Sequence, residues 1–144
     1  MSVTFVSEQQ IEAPTDQAWA LLSELPGYRA WNRFTPRVYG KLEPGARLLL
    51  LARVGPFWFP QLEKVETVES QREIRWGFRW PLGSLSGSRY QRLEPTSEGC
   101  RYCTGESFQG WLAPVMKAVA GGQVQAGLEQ VGRDLKQAAE GGVR

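Results

Sequence analysis

The period of the apolar residues changes at Trp111, and this change constrains the fold more than any other feature of the chain. Before it, short runs alternate between apolar and polar residues, the period of a strand with one buried face. The clearest is REIRWGFRW, where Ile74, Trp76, Phe78 and Trp80 fall on one face and Glu73, Arg75, Gly77 and Arg79 on the other. After it, Leu112, Val115, Val119, Leu128, Val131 and Leu135 recur at helical spacing. A sheet with one apolar face and a long helix with one apolar stripe bury each other if the sheet curves around the helix. The chain is therefore read as α+β.

Thr4 to Ile11 alternates loosely and reads as a first strand. Ala13-Pro14-Thr15-Asp16 signals a helix start, with Thr15 placed to cap free backbone N–H groups and Asp16 near the positive end of the helix dipole. Ala18, Trp19, Leu22 and Leu25 share one face of this helix, and Pro26-Gly27 stops it. RVYGKL, ARLLLLARVG, FWFPQLEKVETVE, REIRWGFRW, LSGSRYQRLEP and CRYCTGESFQG then read as short strands in hairpin order, with Pro60 marking an edge or a bulge. In the terminal helix Pro114 fits the first turn. Gly121, Gly122, Gly127 and Gly132 interrupt it, each costing about 0.5–1 kcal/mol against alanine.

The chain has 144 residues, enough for one domain spanning 1–144 with a real core. No apolar run approaches the roughly 18 residues of a membrane span, and MSVTFVSEQQ lacks the order of a signal peptide, so a cytoplasmic location is expected. Cys100 and Cys103 are the only cysteines, and there is no histidine. That leaves no Ser-His-Asp or Cys-His site and too few soft ligands for a metal, and there is no glycine-rich phosphate loop. No metal and no cofactor is expected. The two cysteines lie three apart on a strand, where they point to opposite faces, and read as structural thiols.

The order of elements, together with IEAPTDQAWALL, YRAWNRFTPRV, REIRWGF, GSRYQRLEP and ESFQGWLAP, resembles the START-like superfamily, also called SRPBCC, over nearly the whole chain. Its members include birch-pollen-allergen-like proteins and the polyketide cyclase/dehydrase group. The resemblance implies a helix-grip fold, with a curved antiparallel sheet of about seven strands wrapped around a long C-terminal helix and two short helices after the first strand. It also implies a cavity between sheet and helix that binds a small hydrophobic molecule. Bacterial relatives often carry Gly-x-His-x-Phe-x-Leu where this chain has GSRYQRL, so Arg89 stands in the histidine place and Gln91 in the phenylalanine place. That wall becomes more polar and cationic.

Trp76, Phe78, Trp80 and Phe59 are the expected apolar lining. The facing helix residues are small (Ala118, Gly121, Gly122, Ala126, Gly127), which either interlocks with the large ones or leaves room. PGYRAWNRFTP is either a corner, with Trp31 and Phe34 plugging one end and Asn32 bonding local backbone, or a cavity mouth lined by Trp31. Arg89, Gln91 and Glu106 form the polar set, either as an Arg89–Glu106 ion pair or as an anchor for a ligand carboxylate or enolate.

The leading functional reading is binding of a lipid- or polyketide-like molecule. The alternative is a cofactor-independent polyketide cyclase or dehydratase working through Glu106 or Tyr102, with no catalytic residue assigned. The third is a protein–protein interaction module, which a filled core with no cavity would favour. Arg72, Arg75, Arg79, Arg89 and Arg92 interleave with Trp76, Trp80 and Tyr90 as on some RNA-binding surfaces. A net charge of only +2 and the alternation of Arg75 and Arg79 away from the tryptophans argue against a nucleic-acid partner. Leu48 to Leu51 is apolar on both faces, so its outer face either meets a second copy in a homodimer or is covered by the same chain.

Overall fold

The computed structural model describes residues 2–141. Seven strands form one antiparallel sheet: β1 (Ser2–Ile11), β2 (Arg37–Tyr39), β3 (Arg47–Val54), β4 (Phe57–Glu69), β5 (Glu73–Arg79), β6 (Ser86–Thr96) and β7 (Gly99–Gln109). Their order is β1-β7-β6-β5-β4-β3-β2, so each strand from β2 to β7 lies beside its sequence neighbour and β1 closes onto β7. The helix α1 (Thr15–Ser23) and a 3-10 helix (Leu25–Ala30) join β1 to β2, and α2 (Ala113–Gly141) follows β7. This is the helix-grip arrangement expected from the sequence.

Local chemistry explains most boundaries, with two corrections at α1. Thr15 does not cap that helix. The cap position is Pro14, whose fixed extended backbone turns the chain and whose carbonyl accepts from the N–H groups of Gln17 (3.1 Å) and Ala18 (3.3 Å). Ala18 and Leu22 are buried as their spacing requires, but α1 ends at Ser23, before the expected Pro26-Gly27 stop; Leu25 is buried from the 3-10 helix, which contains Pro26 and Gly27. Pro60 pairs with Leu51 of β3, in a stretch of β4 that has no partner on its other side. There its missing N–H need not break a ladder. The bulge of β4 comes later, between Val65 and Thr67.

The core lies between the concave face and α2, with Ile11, Leu22, Leu48, Val65, Ile74, Trp76, Leu128, Val131 and Leu135 almost fully buried. Two expectations about α2 are overturned. Val115 and Val119 are exposed, because the first turns of α2 bury Ala113 and turn Met116 and Ala120 inward instead. Ala118, Gly122 and Ala126 also face outward. Gly121 and Gly127 do face the sheet, but their space is used: a Cβ on Gly127 would stand 2.3 Å from the ring of Phe34, and one on Gly121 3.3 Å from Phe5. Large and small residues interlock at these two points.

Cys100 and Cys103 are both buried and unbonded, and burial pushes both thiols above their ordinary acidity range. On the outer face, Tyr39, Leu49 and Leu62 form one exposed cross-strand row. No helix among the described residues is long and apolar enough to cross a membrane.

Candidate functional site

Strand alternation brings the polar set of β6 to the concave face. Arg89, Gln91 and Leu93 are 4%, 2% and 2% exposed. In register they meet Glu106, Thr104 and Tyr102 of β7, while Trp76 and Ile74 of β5 lie beside Arg89 and Gln91 on the other side. Trp76, Arg89, Glu106 and Phe5 thus form one row across four strands.

Between this face and α2 is a cavity of about 1120 Å³, large against the roughly 300–1,000 Å³ usual for ligand sites. Trp76, Phe78, Leu85, Met116 and Val124 supply apolar wall, and Glu63, Arg89 and Glu106 supply the inward-facing charges. The pairing of β4 with β5 starts at Lys64↔Gly77, so the first half of β4 parts from its neighbour. The lining accordingly reaches both faces of the sheet, taking in Lys64 and Ser88. Phe59 and Trp80 also line it and are about half exposed, 51% and 48%, which puts them toward its open side rather than in its depth. Gln91 is not in the lining. Its Oε1 accepts from Tyr102 OH (2.5 Å) and from Arg89 Nη2 (3.4 Å), so it stands behind the guanidinium.

Arg89 is the unusual member. Its Nε donates to Thr104 Oγ1 at 3.3 Å, and its planar group lies 5.8 Å from the centre of the Phe34 ring. Both of its hydrogen bonds are long for charged donors, whose usual range is nearer 2.7–2.9 Å. Glu106 stands directly opposite in register, yet no carboxylate among the described residues reaches ion-pair distance of Arg89. Of the two arrangements open for this set, the Arg89–Glu106 ion pair is absent there, and N–H donors of the guanidinium remain unused.

Sequence reasoning missed Glu63. Its side chain is on the concave face and 8% exposed, while its apolar neighbour Leu62 points outward and is 66% exposed. Burial, then the charges of Glu106 and Glu66, push the Glu63 carboxyl up to about 8, against the opposing pull of Arg89. Burial pushes Glu106 up to about 6, again opposed by Arg89. At neutral pH one carboxyl is mostly protonated and the other mostly ionised.

Trp31 is not part of this cavity. It packs edge-on against Tyr28, with centroids 5.1 Å apart, and lines a separate cleft with Arg33, Arg53, Trp58 and Asp134. PGYRAWNRFTP takes the corner conformation: Asn32 Oδ1 accepts from the backbone N–H groups of Phe34 (3.1 Å) and Thr35 (2.8 Å), and Phe34 is buried against Gly127. Arg75 and Arg92 lie on the convex side, paired with Glu73 and set over the Tyr90 ring.

Solved structures share this architecture. TTHA0849 from Thermus thermophilus superposes with a TM-score of 0.77 at 15% identity, over 99% of this chain and 100% of that one. MLL2253 from Mesorhizobium loti gives 0.73 at 20% identity, over 96% and 97%. The Zhui aromatase/cyclase from Streptomyces sp. R1128 gives 0.72 at 16% identity, over 100% and 96%. At these identities the likeness is one of fold. No curated protein matches the chain. Residues 2–140, which run from the first strand through almost all of α2, match one family along their length, and the chain belongs to that family, described as polyketide cyclase / dehydrase and lipid transport.

Proposed function

We propose that the protein binds a small hydrophobic molecule, lipid- or polyketide-like, between the sheet and α2, with the polar end of the ligand on Arg89. The observation that carries this reading is a 4%-exposed guanidinium with spare donors in the wall of a largely apolar cavity. A buried cation without a full partner is costly to keep, and an incoming oxygen offsets that cost. Trp76 and Phe78 form the floor for the apolar part, with Phe59 and Trp80 toward the open side. Glu106 balances the charge from β7, and Gln91 orients Arg89 from behind. Trp31 has no place in this reading. An interaction module was to be marked by a filled core, and a cavity of about 1120 Å³ speaks against it.

Native mass spectrometry of freshly purified protein, compared with the denatured mass, tests for a retained ligand. Calorimetric titration with laurate then tests the anchor. Arg89→Met weakens laurate binding by roughly 10- to 100-fold, the worth of a hydrogen bond to a charged group. Equal affinities in the two proteins would remove Arg89 from the site.

A further inference from the structure

The cleft beside Trp31 shares no lining residue with the large cavity. It has a volume of about 740 Å³ and lies between the segment 29–36, the β3–β4 hairpin and the C-terminal half of α2. Strand alternation divides the hairpin between the two concavities. The cross-strand pair Arg53 and Trp58 lines the cleft, while Ala52, Val54 and Phe59 line the cavity.

Charge in the cleft is one-sided. Arg29, Arg33 and Arg53 line it against a single carboxylate, Asp134, so three positive charges less one negative leave an excess of two. That carboxylate is already committed. It is 4% exposed and accepts from Arg33 Nε (3.1 Å) and Nη2 (2.7 Å), from the Arg33 backbone N–H and from Gln130. Among the described residues Arg29 and Arg53 have no acid partner. Arg53 is nevertheless held in place, with its guanidinium 5.2 Å from the centre of the Trp58 ring, so it loses less freedom when it binds.

Two buried N–H donors belong to the same wall. Trp31 Nε1 and Asn32 Nδ2 have no hydrogen-bond partner among the described residues. Asn32 is 2% exposed, and its amide cannot turn over, because Oδ1 already accepts from the N–H groups of Phe34 and Thr35. Buried donors left unpaired are rare and costly. The free guanidinium groups and the two unpaired donors all lack what an oxygen-rich anion supplies.

We propose that this cleft is a second ligand site, for a phosphate monoester that carries a planar ring, with Arg29, Arg33 and Arg53 on the phosphate and Trp58 against the ring. Guanidinium forks match phosphate oxygens in bidentate pairs, and an excess of two charges suits a dianion. A phosphate fills only part of the cleft, and aromatic surface stands beside it. Arg53 lies over one face of Trp58, yet the residue is still 51% exposed, so a flat group can stack there. A nucleoside monophosphate has this chemistry. The net charge of +2, and arginines gathered at one corner instead of along a stripe, argue against a nucleic-acid strand. The site is independent of the binding reading for the large cavity.

Isothermal titration of the full chain with adenosine monophosphate, ribose 5-phosphate and adenosine separates the phosphate from the ring. The wild-type protein should bind adenosine monophosphate saturably. Ribose 5-phosphate lacks the ring and should bind about 5- to 100-fold more weakly, the worth of one stacked base. Adenosine lacks the charge and should bind at least about 10-fold more weakly. Arg53→Met should weaken the nucleotide by about 10- to 100-fold, and Arg29→Met should act in the same direction. Both arginines are exposed, so circular dichroism and the urea midpoint of these variants should stay close to wild type. Trp58→Leu should bring the nucleotide down to the level of ribose 5-phosphate and leave ribose 5-phosphate nearly unchanged, a split that a general loss of structure would not produce. A wild-type protein with no saturable nucleotide binding overturns the site. So does an affinity unchanged in both arginine variants. Equal affinities for the nucleotide and ribose 5-phosphate overturn the ring assignment. Displacement of the nucleotide by laurate would place it in the large cavity and overturn the second site.

Discussion

Gly122 and Gly127 lie on the same helix and make opposite predictions. At Gly122 a Cβ meets nothing within 4 Å, so Gly122→Ala gains helix propensity and should stabilise the fold by up to about 1 kcal/mol. At Gly127 the new methyl would stand 2.3 Å and 2.4 Å from two ring carbons of Phe34. That ring cannot easily yield, because its backbone is held by Asn32 and the ring also packs beside Arg89. Overpacking of this kind costs about 1–3 kcal/mol and outweighs the propensity gain. Urea denaturation of the two variants should therefore shift in opposite directions. A Gly127→Ala protein as stable as Gly122→Ala would mean that the Phe34 corner moves freely, and with it the Phe34 wall beside Arg89.

The ties between elements explain what was legible in the sequence and what was not. Strand identity and most limits were readable because turns and period-2 runs are local signals: FWFPQLEKVETVE is β4 from end to end, and REIRWGFRW is β5 with one residue added at each end. Glu63 was not readable because β4 inverts the usual rule. Its leucine faces solvent and its glutamate faces the cavity, and only pairing with β3 and β5 determines which parity points inward. Its shared parity with Val65 was the available signal. Whether Trp31 sits at a corner or at the cavity mouth was not readable for a different reason, since no local pattern states which end of the grip a 3-10 helix will close. That end is closed by Asp134 of α2. Its carboxylate, almost fully buried, accepts from the backbone N–H of Arg33 (2.9 Å), from Arg33 Nη2 (2.7 Å) and from Gln130 Nε2 (2.8 Å). Asp134→Ala leaves the Arg33 N–H without this partner and should cost about 1–3 kcal/mol, read from the urea midpoint. Laurate affinity should change little, because Asp134 does not line the large cavity.

For the whole molecule, the cavity carboxyls make stability depend on pH in a direction opposite to most proteins' acid side. The native state holds the Glu63 proton up to about pH 8, whereas the unfolded chain releases it near the ordinary value of 4.5. Between these values the native state binds more protons, so stability falls as pH rises, by up to about 1.4 kcal/mol per pH unit for one group. Glu106 adds to the same slope between its ordinary value and about 6. Glu73 and Glu140 act in the other direction. Burial works against Glu73, but its bonds to Arg75 and Arg92 hold it below the ordinary value, and Lys136 lowers Glu140. Their contribution is present above the unfolded value and lost as pH falls through the folded one. The two sets together make stability fall as pH rises above the ordinary carboxylate range and fall again in acid. Urea midpoints of the wild-type protein should decline from pH 5 to pH 8. Glu63→Gln, which carries no proton to lose, should lack most of the decline above pH 6. A wild-type midpoint that stays level from pH 5 to pH 8 would show that water in the cavity solvates Glu63 well enough to keep its ordinary acidity.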